Sequence, residues 1–307
     1  MNDLCTLFTC PKPFSEHNAI IQRNALACWR TLSLRCIVFG EEDGVAEATS
    51  EFKFIHIPHV SKSDYGTPLL NDMFEKAQAI AETPLVCWIN SDILLLPSFL
   101  EALELAVRRW KNFLMIGRRW DIDITESLSF EEGWPEKLEH IRRKRGKLHA
   151  SYGMDYFAFP CGLLRHMPAF VVGRPGWDNW LIWTIAATGI PLLNATSGAP
   201  VLHQNHNYAH VPQGRNNSYY GPEADMNNQL IRKHSPDLDI IYTSIYRAEW
   251  RIYDSRIIFD DSRERWWWFF RFKIRRFFAK ILTTLLGPER FATLKEKFKD
   301  KNLCPRQ

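Results

Sequence analysis

Residues able to do chemistry stand where the chain pattern changes. In "LVCWINSDILLLPSF", Leu85 to Phe99, the one acid, Asp92, lies between two apolar runs. A carboxylate so placed is costly to bury unless a cation or hydrogen-bond donors await it. Downstream, "HQNHNYAH" offers His203, His206 and His210 after an apolar run. A carboxylate joined by imidazoles and a diphosphate suits Mn2+ or Mg2+. Zinc calls for three protein ligands at tight spacing, a pattern absent from this sequence. Asp92 has a second reading, as the cap of the helix that starts near Pro97 and Ser98.

The stretch "GRPGWDNWLIW", 173–183, presents Asp178 at the opening of a helix of large apolar residues. The helix dipole is expected to lower its pKa and keep it ionised. Two roles stay open for it. It is a helix N-cap among core tryptophans, or a general base walled by Trp177 and Trp180, whose indoles suit the C–H faces of sugar rings.

The elements that must position these groups alternate in type. Short apolar strands are expected at 4–10, 35–40, 52–58, 84–90 and 112–120. Helical spacing fills 16–32, 67–82 and 97–110, with Thr67 as N-cap and Pro68 at the first helical position of the second. A charged surface helix follows at about 131–148, then strand-like segments at 152–160, 190–196 and 199–210 around a helix in the second half of 169–189. Buried strands alternating with helices imply an α/β fold with a mostly parallel sheet covered on both faces. Ligands of such sheets bind at the carboxyl ends of the strands. Glu41, Glu42, Asp43, Asp92, Arg118 and Arg119 are all expected just past strands. No P-loop and no G-x-G-x-x-G pattern occurs, so a bound nucleotide is not held by a glycine-rich cradle.

The 307 residues suit one large α/β domain with an appendage, and 46% hydrophobic with 24% charged residues is ordinary for a packed globular chain. Seven scattered cysteines, odd in number and without a C-x-x-C pair, suggest reduced thiols. No signal peptide and no transmembrane run is read from the sequence, so a cytoplasmic protein is expected. The net charge of +4 is uneven: residues 263–307 hold 13 Lys/Arg against 4 Asp/Glu, leaving 26 against 31 elsewhere. In 265–286, "RWWWFFRFKIRRFFAKILTTLL", Phe270, Ile274, Phe277, Phe278, Ile281 and Leu285 share one helical face. Lys273, Arg275, Arg276 and Lys280 share another. Such a helix lies flat on an anionic membrane surface, here the inner face, or docks on the protein's own core. The basic residues form no nucleic-acid module, and no nucleic-acid partner is expected.

Residues 4–210 resemble nucleotide-sugar glycosyltransferases of the GT-A fold, in the style of the family 2 enzymes. "TLFTCPKPF" and "FGEED" look like the family's nucleoside-holding loops, and "YGTPLLND" like its G-x-x-x-x-N helix start. "Asn90-Ser91-Asp92" stands where the family has D-x-D, with Asn in the first position. The resemblance implies nucleotide and donor contacts from Thr9, Pro11, Glu42, Asp43, Gly66, Asn71, Asn90, Ser91, Asp92, Arg118 and Arg119. It implies a Mn2+ or Mg2+ site at Asp92, His203 and His206, with Asp178 as the catalytic base. Trp177, Asn179 and Asp155 are implied on the acceptor side. The implied activity is sugar transfer from a nucleotide-sugar donor to a glycan or lipid-linked acceptor in bacterial surface polysaccharide synthesis, by an inverting displacement. The expected organisation is a catalytic domain over 1–215, divided near 125 into nucleotide-binding and acceptor halves, a connecting segment over 216–262, and a basic aromatic tail over 263–307. A sugar-phosphate nucleotidyltransferase is disfavoured because "TLFTCPKPF" lacks a glycine-rich signature. A non-catalytic binding scaffold remains the reading from a different class.

Overall fold

The computed structural model describes residues 3–206, 219–234, 240 and 243–286. It divides into two units, Met1–Asp260 and Asp261–Gln307. In the first, β1 (Cys5–Thr9), β2 (Arg35–Phe39), β3 (Ile55–Ile57) and β4 (Leu85–Ile89) alternate with α1 (Glu16–Thr31), α2 (Val45–Glu51) and α3 (Leu70–Ile80). Then come β5 (Ile93–Leu94), α4 (Ser98–Arg109), β6 (Leu114–Ile122), α5 (Trp134–Arg145), β7 (Lys147–Leu148) and β8 (Met154–Pro160). The unit closes with α6 (Trp177–Ala187), β9 (Leu192–Asn194), β10 (Val201–Gln204), α7 (Pro222–His234), β11 (Trp250–Tyr253) and β12 (Arg256–Phe259).

The sheet runs β12-β11-β9-β6-β8-β4-β1-β2-β3, with β10 beside β5 and β6. Strands β4, β1, β2 and β3 are parallel, while β8 enters antiparallel between β4 and β6. Side chains alternate between two buried layers, as the two-residue period of a strand requires. Cys5, Leu7, Cys87 and Ile89 pack in one layer with Leu26, Trp29 and Phe99. Phe8, Val86 and Trp88 pack in the other with Phe74, Phe157 and Trp177. Each large side chain so buried contributes about 1.5–3 kcal/mol of transfer free energy. The polar residues past β4 are thus carried on a strand fixed from both sides.

The structure moves several expected boundaries. α3 begins at Leu70, because Pro68 and Leu69 make β-bridges to Lys62 and Val171. The segment 216–262, expected only to connect, holds α7 and adds β11 and β12, with β11 pairing in parallel with β9. Arg118 and Arg119 lie inside β6, which continues to Ile122, and His203 lies within β10. The register of β6 on β8 shifts between Ile116 and Arg118. A Cβ on the intervening Gly117 would stand 2.3 Å from Tyr156 Oη. Glycine there admits both the bulge and the tyrosine, and bulges re-aim the side chains that follow.

The second unit contains α8 (Arg263–Leu286), on which Trp266, Trp267, Phe270, Ile274, Phe277, Phe278, Ile281 and Leu285 are exposed. The side chains of Arg275, Arg276 and Lys280, part of the expected basic face, lie outside the described ones, as do His210 and residues 287–307. No helix among the described residues is long and apolar enough to cross a membrane.

Candidate metal and nucleotide site

Strand β4 ends at Ile89, and the next three residues turn across the sheet's carboxyl edge before β5. Asp92 is 5% exposed there. Its backbone carbonyl accepts from Gln204 N–H at 3.2 Å and Gln204 Nε2 at 3.1 Å, which locks the turn to β10. The carboxylate Oδ2 lies 3.1 Å from His206 Nε2 and 3.9 Å from both His203 Nε2 and Lys12 Nζ. Burial alone would raise the pKa of Asp92, but the His203 imidazole, the His206 hydrogen bond and Lys12 hold it well below the usual carboxylate range. Asp92 does not cap the following helix, whose N-cap is Pro97 without a side-chain cap bond.

β10 pairs in parallel with β6 so that His203 stands opposite Asp121. Asp121 Oδ1 is 3.3 Å from His203 Nδ1, and its Oδ2 is 2.5 Å from His149 Nδ1. Arg119 joins the carboxylates, with Nε on Asp121 Oδ1 at 2.9 Å and a terminal nitrogen on Asp155 Oδ2 at 2.8 Å. Burial opposes the charge of Arg119, yet Asp155 and Asp121 raise its pKa above the ordinary guanidinium value. Asn90 Nδ2 donates to Asp155 Oδ1 at 2.7 Å. The amide at the place of an expected acid therefore satisfies Asp155, where a second carboxylate would repel it.

Asp92, His203 and His206 offer ligand atoms within 4.8 Å of one another. Asp92 Oδ1 is buried with no hydrogen-bond partner among the described residues. A buried carboxylate with one oxygen orphaned and the other 3.1 Å from His206 and 3.9 Å from His203 fits a divalent cation such as Mn2+, which accepts oxygen and nitrogen ligands.

Asp178 opens α6 behind Gly176, whose φ is +99°. Burial pushes its carboxyl up to about 6; backbone N–H groups of the first turn pull it back, and the Asp155 charge adds to the rise. This corrects the expectation that the helix start alone would keep it low: lost hydration outweighs the dipole. The influence of Asp155 links Asp178 to the Arg119 side of the site.

Other expected residues have different surroundings. Trp177 is 8% exposed, and its ring packs 6.0 Å from Trp88 and 5.0 Å from Phe157, so it serves the core and not an acceptor wall. Trp180 packs on Phe170. Asn179 donates its amide to the Thr243 carbonyl, and Arg118 donates to the His149 carbonyl; both hold the backbone. Ser91 Oγ donates to Gln22 Oε1 at 2.9 Å. The two loops assigned to the nucleoside do meet. Phe14 N–H donates to the Asp43 carbonyl at 2.8 Å, Pro11 is buried, and burial with the Glu42 charge pushes the Cys10 thiol up to about 12. Thr9 Oγ1 is buried there without a hydrogen-bond partner among the described residues. Gly66 sits in a turn with φ +85°, and Asn71 lines a concavity with Glu75, Arg165 and Met167. Sequence reasoning missed Lys12 and His149. The available signal for Lys12 was its place between two prolines directly past β1.

No family model matches the sequence, and no curated protein matches it. Among solved structures, glucosyl-3-phosphoglycerate synthase from Mycobacterium tuberculosis is 16% identical, over 78% of this chain and 81% of that one, with a TM-score of 0.42. The same enzyme with Mn2+, uridine diphosphate and glucosyl-3-phosphoglycerate is 14% identical over 76% and 80%, with a TM-score of 0.42. S. aureus TarS 1–349 in complex with UDP-GlcNAc is 10% identical over 42% and 38%, with a TM-score of 0.31. The chain spans between 23% and 58% of the TarS chains it matches. At TM-scores below 0.5 these likenesses carry no weight in assigning a function, and the functional reading rests on the site's own residues.

Proposed function

We propose that this protein is a glycosyltransferase that moves a sugar from a nucleotide-sugar donor to a hydroxyl acceptor at the carboxyl edge of the sheet. The observation that carries the reading is the buried Asp92 carboxylate, one oxygen without a hydrogen-bond partner among the described residues and the other beside His203 and His206. Those three residues would hold Mn2+ or Mg2+, which supplies positive charge to the diphosphate leaving group. The loops at Thr9–Phe14 and Gly40–Asp43 would take the nucleoside. Asp178 acts as general base. Its carboxylate accepts the acceptor's hydroxyl proton as the oxygen bonds to the anomeric carbon, and the carbon–oxygen bond to phosphate breaks with its electron pair leaving on the diphosphate. A base with a pKa near 6 is ionised at neutral pH yet basic enough to share a proton in the transition state. Displacement from the opposite face inverts the anomeric centre.

The acceptor in this reading is a glycan or lipid-linked glycan of surface polysaccharide synthesis, reached at an anionic membrane. The exposed aromatic stripe of α8, with Arg271 and Lys273 also exposed, supports peripheral binding to such a surface. The test of the transferase reading is thermal unfolding with UDP or GDP, with and without Mn2+, for wild type and Asp92→Ala. Stabilisation by a nucleoside diphosphate plus Mn2+, lost in Asp92→Ala, is expected. A melting temperature unmoved by either nucleotide defeats the reading.

A further inference from the structure

Pro11 and Pro13 bracket Lys12 immediately past β1. A residue before proline is steered to extended backbone, and each proline fixes its own φ, so the main chain has little freedom here. The Gln22 side chain holds it at both ends: Lys12 N–H donates to Gln22 Oε1 at 2.7 Å, and Gln22 Nε2 donates to the Lys12 carbonyl at 2.9 Å. Ser91 Oγ donates to the same Oε1 at 2.9 Å, which ties this peptide to the residue before Asp92. The side chain so aimed brings Nζ to 3.0 Å from His206 Nε2 and 3.9 Å from Asp92 Oδ2.

These are two of the three groups assigned to the divalent cation. An ammonium has only donors and carries the same sign as the metal, so the two compete for one set of lone pairs. A nucleoside diphosphate changes that balance by bringing oxygens of its own. Lys12 and Arg119 give two positive charges against the carboxylates Asp92, Asp121 and Asp155, a net of −1 that a divalent cation turns to +1. Without Lys12 the loaded site would be neutral and less attractive to a diphosphate.

Resting on the transferase reading, we propose that Lys12 has two opposed roles. It weakens binding of the free cation at Asp92 and His206, and it carries a phosphate oxygen once the nucleotide is present. The flexible lysine stem permits both positions on a fixed backbone.

Calorimetry on the full chain tests this, with wild type, Lys12→Met and Lys12→Arg. Mn2+ is titrated alone, then UDP or GDP with Mn2+ present, then uridine or guanosine as uncharged controls. Lys12→Met is expected to bind Mn2+ about three- to tenfold more tightly, as loss of one nearby positive charge implies. It should bind the diphosphate about tenfold or more weakly, the scale of a lost charge-assisted hydrogen bond. Nucleoside binding should not change, and Lys12→Arg should recover the diphosphate. Opposite shifts cannot come from a damaged fold, which would weaken both. If Lys12→Met binds both ligands as wild type does, or loses both, the proposal is overturned while the transferase reading stands. If wild type binds neither UDP nor GDP, that reading falls and takes this one with it.

Discussion

Asp178 makes the sharpest demand at the scale of a residue. Its carboxyl titrates near 6 in the folded protein against 3.8 for an ordinary aspartate. As the base, it must be ionised, so kcat/KM should climb with pH through about 6 and level off above it, and Asp178→Asn should lower kcat about 10²–10⁴-fold. Stability runs the other way. A raised pKa means the folded state binds the proton more tightly, so this stability is full below about pH 4 and is lost as pH rises through 6. Denaturant unfolding should show Asp178→Asn more stable than wild type by about 1–3 kcal/mol at pH 8 and equal to it at pH 4. Asn90→Asp makes a second test. It sets a carboxylate where an amide now donates to Asp155 at 2.7 Å. Unfolding without metal should show a loss of about 1–3 kcal/mol, and added Mn2+ should recover part of it. Asp92 was legible in the sequence because a carboxylate is costly between apolar runs, and His203 and His206 because imidazoles cluster at the end of one. The core role of Trp177 was not, since a tryptophan beside a functional acid reads equally as wall or as packing.

At the scale of elements, two glycines decide how the site is presented. Gly176 holds φ +99° at the start of α6, and a Cβ there would stand 2.4 Å from Ile231 Cδ1 of α7. Gly176→Ala should destabilise the protein by about 1–3 kcal/mol. Steady-state kinetics should show kcat falling more than KM changes, because Asp178 rides on that turn. The β1–α1–β2 and β4–α4 runs were readable, since strands buried on both faces are continuous apolar stretches with turn residues at their ends. β11 and β12 were not. "WRIY" and "RIIF" are four-residue strands with arginine in each, too short and too polar to announce a place in a sheet. The last step of β6, from the expected end at 120 through Asp121 to Ile122, was hidden because Asp121 pairs with Arg119, His149 and His203, partners that only tertiary neighbours supply.

On the scale of the whole molecule, an acidic body and a basic, aromatic tail predict different partners. The exposed aromatic stripe of α8 should bring the protein down with vesicles containing anionic lipid and not with zwitterionic ones. Phe277→Asp with Phe278→Asp should abolish co-sedimentation while leaving nucleotide binding intact. Vesicle binding unchanged by that pair would count against a membrane role for the stripe. The proposed metal centre lies at the sheet edge, where the buried Asp92 carboxylate meets two imidazoles with one of its oxygens and leaves the other unpartnered among the described residues. Anomalous diffraction at the manganese edge from crystals grown with Mn2+ and a nucleoside diphosphate examines it most directly. One strong peak is expected between Asp92, His203 and His206, missing in Asp92→Ala; a nucleotide bound elsewhere, or no manganese among these three residues, would contradict the assignment.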